Sequence, residues 1–249
     1  FTVTPGWVAS NFLIASARDT VASWARQTPP DFRFVVKLPK TITHERRLAG
    51  AGAELRAFLA AIEPLRPRVH ALWLQLPGSF APDDLAALAG FLHRLPGAYR
   101  YAVEVRHPAF FTEPRATGLL ERVLGRVAAE WITFDTTAFF QSPPTSDAER
   151  DAWLKKPRLP RRVVALTERP IVRYLGRDDT ARTAAGWRPW VDTVVAWLRE
   201  GRSPTVFIHT PDNAEAPALA RRFHDEVRAR LPELAPLPEP VPVAPPTLF

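Results

Sequence analysis

Glu104, Arg106 and His107 stand together in YAVEVRHPAFF (residues 101–111), at the end of an apolar run. Tyr101, Val103 and Val105 read as a buried strand, and residues two apart on a strand point the same way. An acid and an arginine therefore share one face of a segment that otherwise looks like core. The pattern recurs along the chain. The run 32–38 delivers Lys37, followed by Thr43 and His44, and 69–76 delivers Gln75. The run 131–136 delivers Asp135, 171–176 delivers Arg173 and Tyr174, and 205–210 delivers His209, with Asn213 just beyond. A buried unpaired charge is strongly unfavourable. Its repetition at the ends of successive strands makes sense if those ends share a wet cavity.

The residue types suggest what such a cavity could do. Lys37, Arg106, Arg173 and His209 suit a phosphate or carboxylate. Thr43, Gln75, His107, Tyr174 and Asn213 complete a candidate ligand-binding set. Glu104 and Asp135 are candidate general acids or bases, and His44 and His209 candidate proton shuttles. Glu104, His107, Asp135 and His209 are also competent metal ligands, but no HxH or HExxH spacing supports a metal site, so no metal ligand is assigned. GxGxxG, Walker and GxSxG motifs are absent, and no cofactor is indicated. Each residue taken alone has a plainer reading as a structural pair, such as Glu104 with Arg106 or Lys37.

These residues lie on alternating strand-like and helix-like segments. Helical spacing marks 18–27, 53–63, 82–95, 114–124, 190–200 and 216–231. Strands separated by single helices imply parallel βαβ units. Six strands are counted from residue 32, and 8–14 and 1–4 are candidates for a seventh and an eighth. The expected fold is α/β, a TIM-barrel-like (β/α) barrel, incomplete or irregular at its N-terminal end because 1–4 and 8–14 leave no room for a helix between them. Residues 1–231 form a single barrel domain in this reading. Residues 141–170 form a long proline-rich, charged loop, and 232–249 a proline-rich extended tail.

The chain has 249 residues and a formal net charge of +7, which favours anionic partners, either a small molecule or nucleic acid. Only Lys37, Lys40, Lys155 and Lys156 among its 33 basic residues are lysine, so compositional bias toward arginine is the competing source of that charge. No cysteine excludes disulfides, thiolate metal sites and cysteine nucleophiles. No run is apolar for long enough to span a membrane, and 11–17 lacks the basic region of a signal peptide. A cytoplasmic location without membrane association is expected. Methionine is absent even at position 1, so a native start is expected upstream.

Several blocks, in order, resemble a known family. FRFVVKLPKTITHERRL, LWLQLPGSF, YAVEVRHPAFF, VRYLG and VFIHTPDNAEAPALARRFH, with the terminal LF, are similar to blocks of the YecE-like domain of unknown function 72 family. The resemblance runs from about residue 18 to the end. It implies a TIM-barrel-like fold with a cleft at the strand ends. The matched polar positions are Lys37, Thr43, His44, Gln75, Glu104, Arg106, His107, Arg173, His209 and Asn213. The N-terminus departs from the pattern: Ala9 stands where the family block has Glu, its Tyr is absent, and Asn11 matches its Asn. The resemblance supplies no settled reaction. The leading expectation is a phosphoester or sugar-phosphate enzyme. The alternatives are a non-catalytic barrel that binds a ligand or nucleic acid, and a metal-dependent hydrolase resembling repair endonucleases.

Overall fold

Apolar and β-branched runs such as FVVK and VHALWLQ form strands because their side chains can be buried on both sides of a parallel sheet. The computed structural model describes residues 17–238. Its first half runs α1 (Ala17–Gln27), β1 (Phe34–Lys37), α2 (Gly52–Ile62), β2 (Val69–Gln75), α3 (Leu85–His93), β3 (Tyr101–Glu104), α4 (Ala109–Thr112) and α5 (Pro114–Gly125). The second half runs β4 (Glu130–Trp131), β5 (Thr133–Asp135), α6 (Asp147–Lys155), β6 (Ile171–Leu175), α7 (Thr180–Gly186), α8 (Arg188–Arg199), β7 (Thr205–His209) and α9 (Ala216–Arg228). The candidate strands 1–4 and 8–14 lie outside the described residues.

All strand pairs are parallel, in the orders β1-β2-β3-β4 and β5-β6-β7. The two sheets meet in one run. β4 pairs with β3, the amide of Ile132 donates to the carbonyl of Val103 at 2.9 Å, and β5 then pairs with β6. The predicted strand 131–136 is thus one run that passes its pairing from one neighbour to the next. Among the described residues no strand pairs with the outer edge of β1 or β7. The α/β class and the parallel order match expectation; closure into a barrel is not seen among these residues.

Two packing layers follow from the period-two alternation. One face of each strand packs against helices. Phe34, Val36, Leu72, Leu74, Tyr101 and Val103 share a core with residues of α2, α3 and α5, while Val172, Tyr174 and Ile208 share one with α8 and α9. The other face is interior. Val35, Ala71, Trp73, Ala102, Ile132, Ile171 and Phe207, drawn from every run, form one buried cluster. The Trp73 and Phe207 rings stack at 5.8 Å, so β2 and β7 meet across it.

The helices follow the expected spans closely, with the start of 82–95 tightened into a 3-10 turn at Pro82–Asp84. The segment 141–170 differs from expectation: it is not all loop. It contains α6, capped by Ser146, whose hydroxyl accepts from the Glu149 amide at 3.0 Å.

Candidate functional site

Two residues beyond each interior apolar residue comes the next interior position. Val35, Trp73, Ala102, Ile132, Ile171 and Phe207 are followed by Lys37, Gln75, Glu104, Phe134, Arg173 and His209. The alternation of strand side chains stacks this second set as a layer at the carboxyl ends of the strands.

Glu104 is fully buried at its centre. Its carboxylate accepts from Arg106 Nε at 2.7 Å and from Arg173 Nη1 at 3.2 Å, so β6 is tied to β3 across the interior. Gln75 Oε1 accepts from Lys37 Nζ at 3.2 Å and from Arg173 Nη1 at 3.4 Å. Aromatic faces form the floor. Arg173 lies 4.4 Å from the Phe134 ring centroid, Arg106 lies 5.3 Å from the same ring, and Lys37 Nζ sits 4.3 Å above Trp73. Such contacts favour a desolvated cation.

The charges perturb one another. Burial alone would push the Glu104 carboxyl up, but Arg106, Arg173 and Lys37 outweigh it and hold it down at about 2. Burial, with Arg173 next, lowers the Lys37 amine to about 8. Burial and the Arg173 guanidinium hold His209 at about 3, so its imidazole is neutral. With Nδ1–H donating to Asn213 Oδ1 at 3.2 Å, Nε2 keeps its lone pair. His209 Nε2 and Arg173 Nε are both buried without a hydrogen-bond partner. His44, which shares a 2.8 Å hydrogen bond through Nδ1 with Thr43 Oγ1, is lowered by burial and by Arg106.

The structure brings together Lys37, Gln75, Glu104, Arg106, Arg173 and His209, with His44, Thr43 and Asn213 at the margin. It separates the rest. Asp135 and Tyr174 have the opposite parity and face the helices. Asp135 Oδ2 accepts from Trp190 Nε1 at 2.6 Å and Oδ1 from the Thr137 amide at 2.8 Å. The Tyr174 hydroxyl donates to the Thr183 carbonyl at 2.9 Å. His107 makes local contacts: Nδ1 accepts from the Ala109 amide at 3.2 Å and the ring edges Phe110.

Two participants escape the reading of strand ends. Phe134 is apolar and so carries no chemical signal, although its parity marks it. Lys156 comes from the insertion; burial and then Arg173 and Arg106 lower its amine. Its signal was the rarity of lysine. The insertion is held by a second buried ion pair, Arg177 with Glu149 at 2.5 Å. Arg177 also donates to the Ser142 and Pro143 carbonyls at 2.7 and 2.8 Å.

Two surface clefts lie elsewhere. One, of about 290 Å³, is lined by Phe111, Thr117, Glu121 and Arg162, and the other, of about 370 Å³, by Leu59, Glu63, Arg66 and Tyr99. Among the described residues no group of three or more metal-ligating side chains converges, and no helix is long and apolar enough to cross a membrane.

Residues 9–243 match a family model described as "Protein of unknown function DUF72". The chain belongs to the DUF72 family. It is 37% identical over 220 residues to the UPF0759 protein YecE of Escherichia coli K12 and of O157:H7, covering 88% of this chain and 80% of each relative. Crystal structures of DUF72 family proteins from Enterococcus faecalis V583 (TM-score 0.63, 17% identity, 90% of this chain and 84% of that one) and Thermotoga maritima MSB8 (TM-score 0.59, 20% identity, 91% and 84%) share its fold.

Proposed function

We propose that the second interior layer is the binding site for an anionic, phosphorylated small molecule, carried at the strand ends of a TIM-barrel-like (β/α) barrel. The barrel reading is supported by interior layers to which all six runs contribute. The ligand reading rests on one observation. Lys37, Arg106, Arg173 and Lys156 all lie within electrostatic reach of a single carboxylate, Glu104, which two arginines already occupy. A structural pair needs one cation. The surplus is balanced by an anion that would also give Arg173 Nε an acceptor.

Arg106 and Arg173 present forked donors matched to phosphate oxygens, and Lys37 and Lys156 add point charges. A small ligand fits better than nucleic acid because the cations lie largely buried on the interior side of the strands rather than spread over an outer surface. His209 Nε2 is a neutral hydrogen-bond acceptor within electrostatic reach of the site. The metal-dependent hydrolase reading has no converging ligand set behind it among the described residues.

Thermal unfolding tests this. Inorganic phosphate, phosphosugars and nucleotides are expected to raise Tm with concentration, as ligand binding to the folded state requires. Arg106→Gln, chosen because Arg106 is the more exposed of Glu104's partners, is expected to weaken that response by about tenfold or more in Kd. Equal Tm with and without every anion, or a larger response to short DNA than to phosphosugars, overturns the reading.

A further inference from the structure

Every cation that binds an anion in this layer could be arginine, and this chain uses arginine almost everywhere. Two of its four lysines nevertheless stand in this layer or within electrostatic reach of it. Arginine stays charged, whereas a lysine amine can lose its proton and become a nucleophile. Lys37 has the surroundings for that. Its Nζ donates to one acceptor, the uncharged Gln75 Oε1, and rests on the Trp73 face. The carboxylate beside it is in ion pairs with Arg106 and Arg173, not with Lys37. Arg173 from β6, Arg106 beyond β3 and Lys156 from the insertion oppose its charge, while Glu104 and the Trp73 ring favour it. The neutral His209 faces the same group from β7.

We propose that Lys37 is an amine nucleophile that forms a Schiff base with the aldehyde or ketone carbon of a phosphorylated substrate. The proposal rests on the anion-site reading. In the step, the Nζ lone pair attacks the carbonyl carbon and the C=O π pair moves to oxygen. The nitrogen gives up a proton and the oxygen takes one, leaving a carbinolamine. Loss of the hydroxyl as water, with the second nitrogen proton, forms the C=N bond. No oxidant or metal is required. The proton passes from nitrogen to oxygen through a water molecule, to which the unprotonated His209 Nε2 offers a hydrogen-bond acceptor, and the arginines hold the phosphate.

Pyridoxal 5′-phosphate, an aldehyde with a phosphate, is the probe. The full chain is incubated with it, reduced with borohydride and mapped by mass spectrometry. Lys37 is expected to be labelled at least tenfold faster than the exposed Lys40 and Lys155, with a rate that rises with pH to a midpoint near 8. An exposed lysine should instead titrate near about 10.4. Excess inorganic phosphate is expected to protect Lys37. Lys37→Arg should lose the adduct, and its far-UV circular dichroism and cooperative thermal unfolding show that the variant folds. Labelling of Lys37 no faster than of Lys40, or labelling confined to Lys156, overturns the proposal while leaving anion binding intact. Loss of the phosphate response in the unsubstituted protein overturns the anion site itself.

Discussion

Glu104 meets two guanidinium groups and no solvent. Glu104→Gln keeps its shape and removes its charge, leaving Arg106 and Arg173 uncompensated. Breaking a buried pair in this way costs about 3–5 kcal/mol, to be read from urea denaturation. The sign of the pH effect follows from a carboxyl near 2 in the folded chain and about 4.3 unfolded. Its contribution is present above the unfolded value and is lost as pH falls toward the folded one. The unsubstituted protein should therefore lose stability between about pH 4 and pH 2, and Glu104→Gln should lack that limb. Parallel acid curves would contradict this assignment. At this scale the sequence gives the residue types, and parity decides which of them meet. Asp135 and Tyr174 end their strands as Glu104 and Arg173 do, yet one step along a strand turns them to the helices. Counting by twos from the apolar interior separates the groups, and it also selects Phe134, which no search for polar residues finds.

The six strands were legible because each is a short apolar run bounded by turn residues, and the major helices because their stripes repeat at helical spacing. α6 was hidden by its setting, SPPTSDAERDAWLKKP, where proline and charge dominate. A cap signal was present all the same: Ser146 stands three residues before Glu149. In the structure Glu149 does not return to the Ser146 amide. It accepts from the Thr145 amide at 2.7 Å and from Arg177. Burial pushes the Glu149 carboxyl up, but those hydrogen bonds outweigh it and hold it below the usual range. This pair fixes the element that delivers Lys156. Glu149→Gln is expected to lower stability by about 3 kcal/mol and to speed amide exchange across 142–156 more than in β1–β3. Phosphate affinity should fall with it. Unchanged exchange in that segment would mean that proline and packing, not the ion pair, hold the insertion.

At the scale of the molecule, a net charge of +7 had two readings, composition or function, and the sum alone could not choose between them. Many arginines lie in exposed pairs such as Arg46 with Glu54 and Arg222 with Glu226, which contribute little and are screened by salt. The distinctive charge is local. It stands on a layer of Trp73, Ala102, Ile132, Ile171 and Phe207, buried groups that make a dry, low-dielectric floor. Field lines from the four cations are expected to spread poorly through that floor and to emerge chiefly on the side away from it, as low-dielectric walls focus a field. The association rate of phosphate should accordingly fall about tenfold or more from low to physiological salt, measured by stopped flow, with a smaller change in dissociation. An equal effect on both would contradict such focusing. On the proposed anion-site reading, the apolar layer acts as an antenna reflector: residues that never touch the anion would set from which direction, and how fast, it arrives.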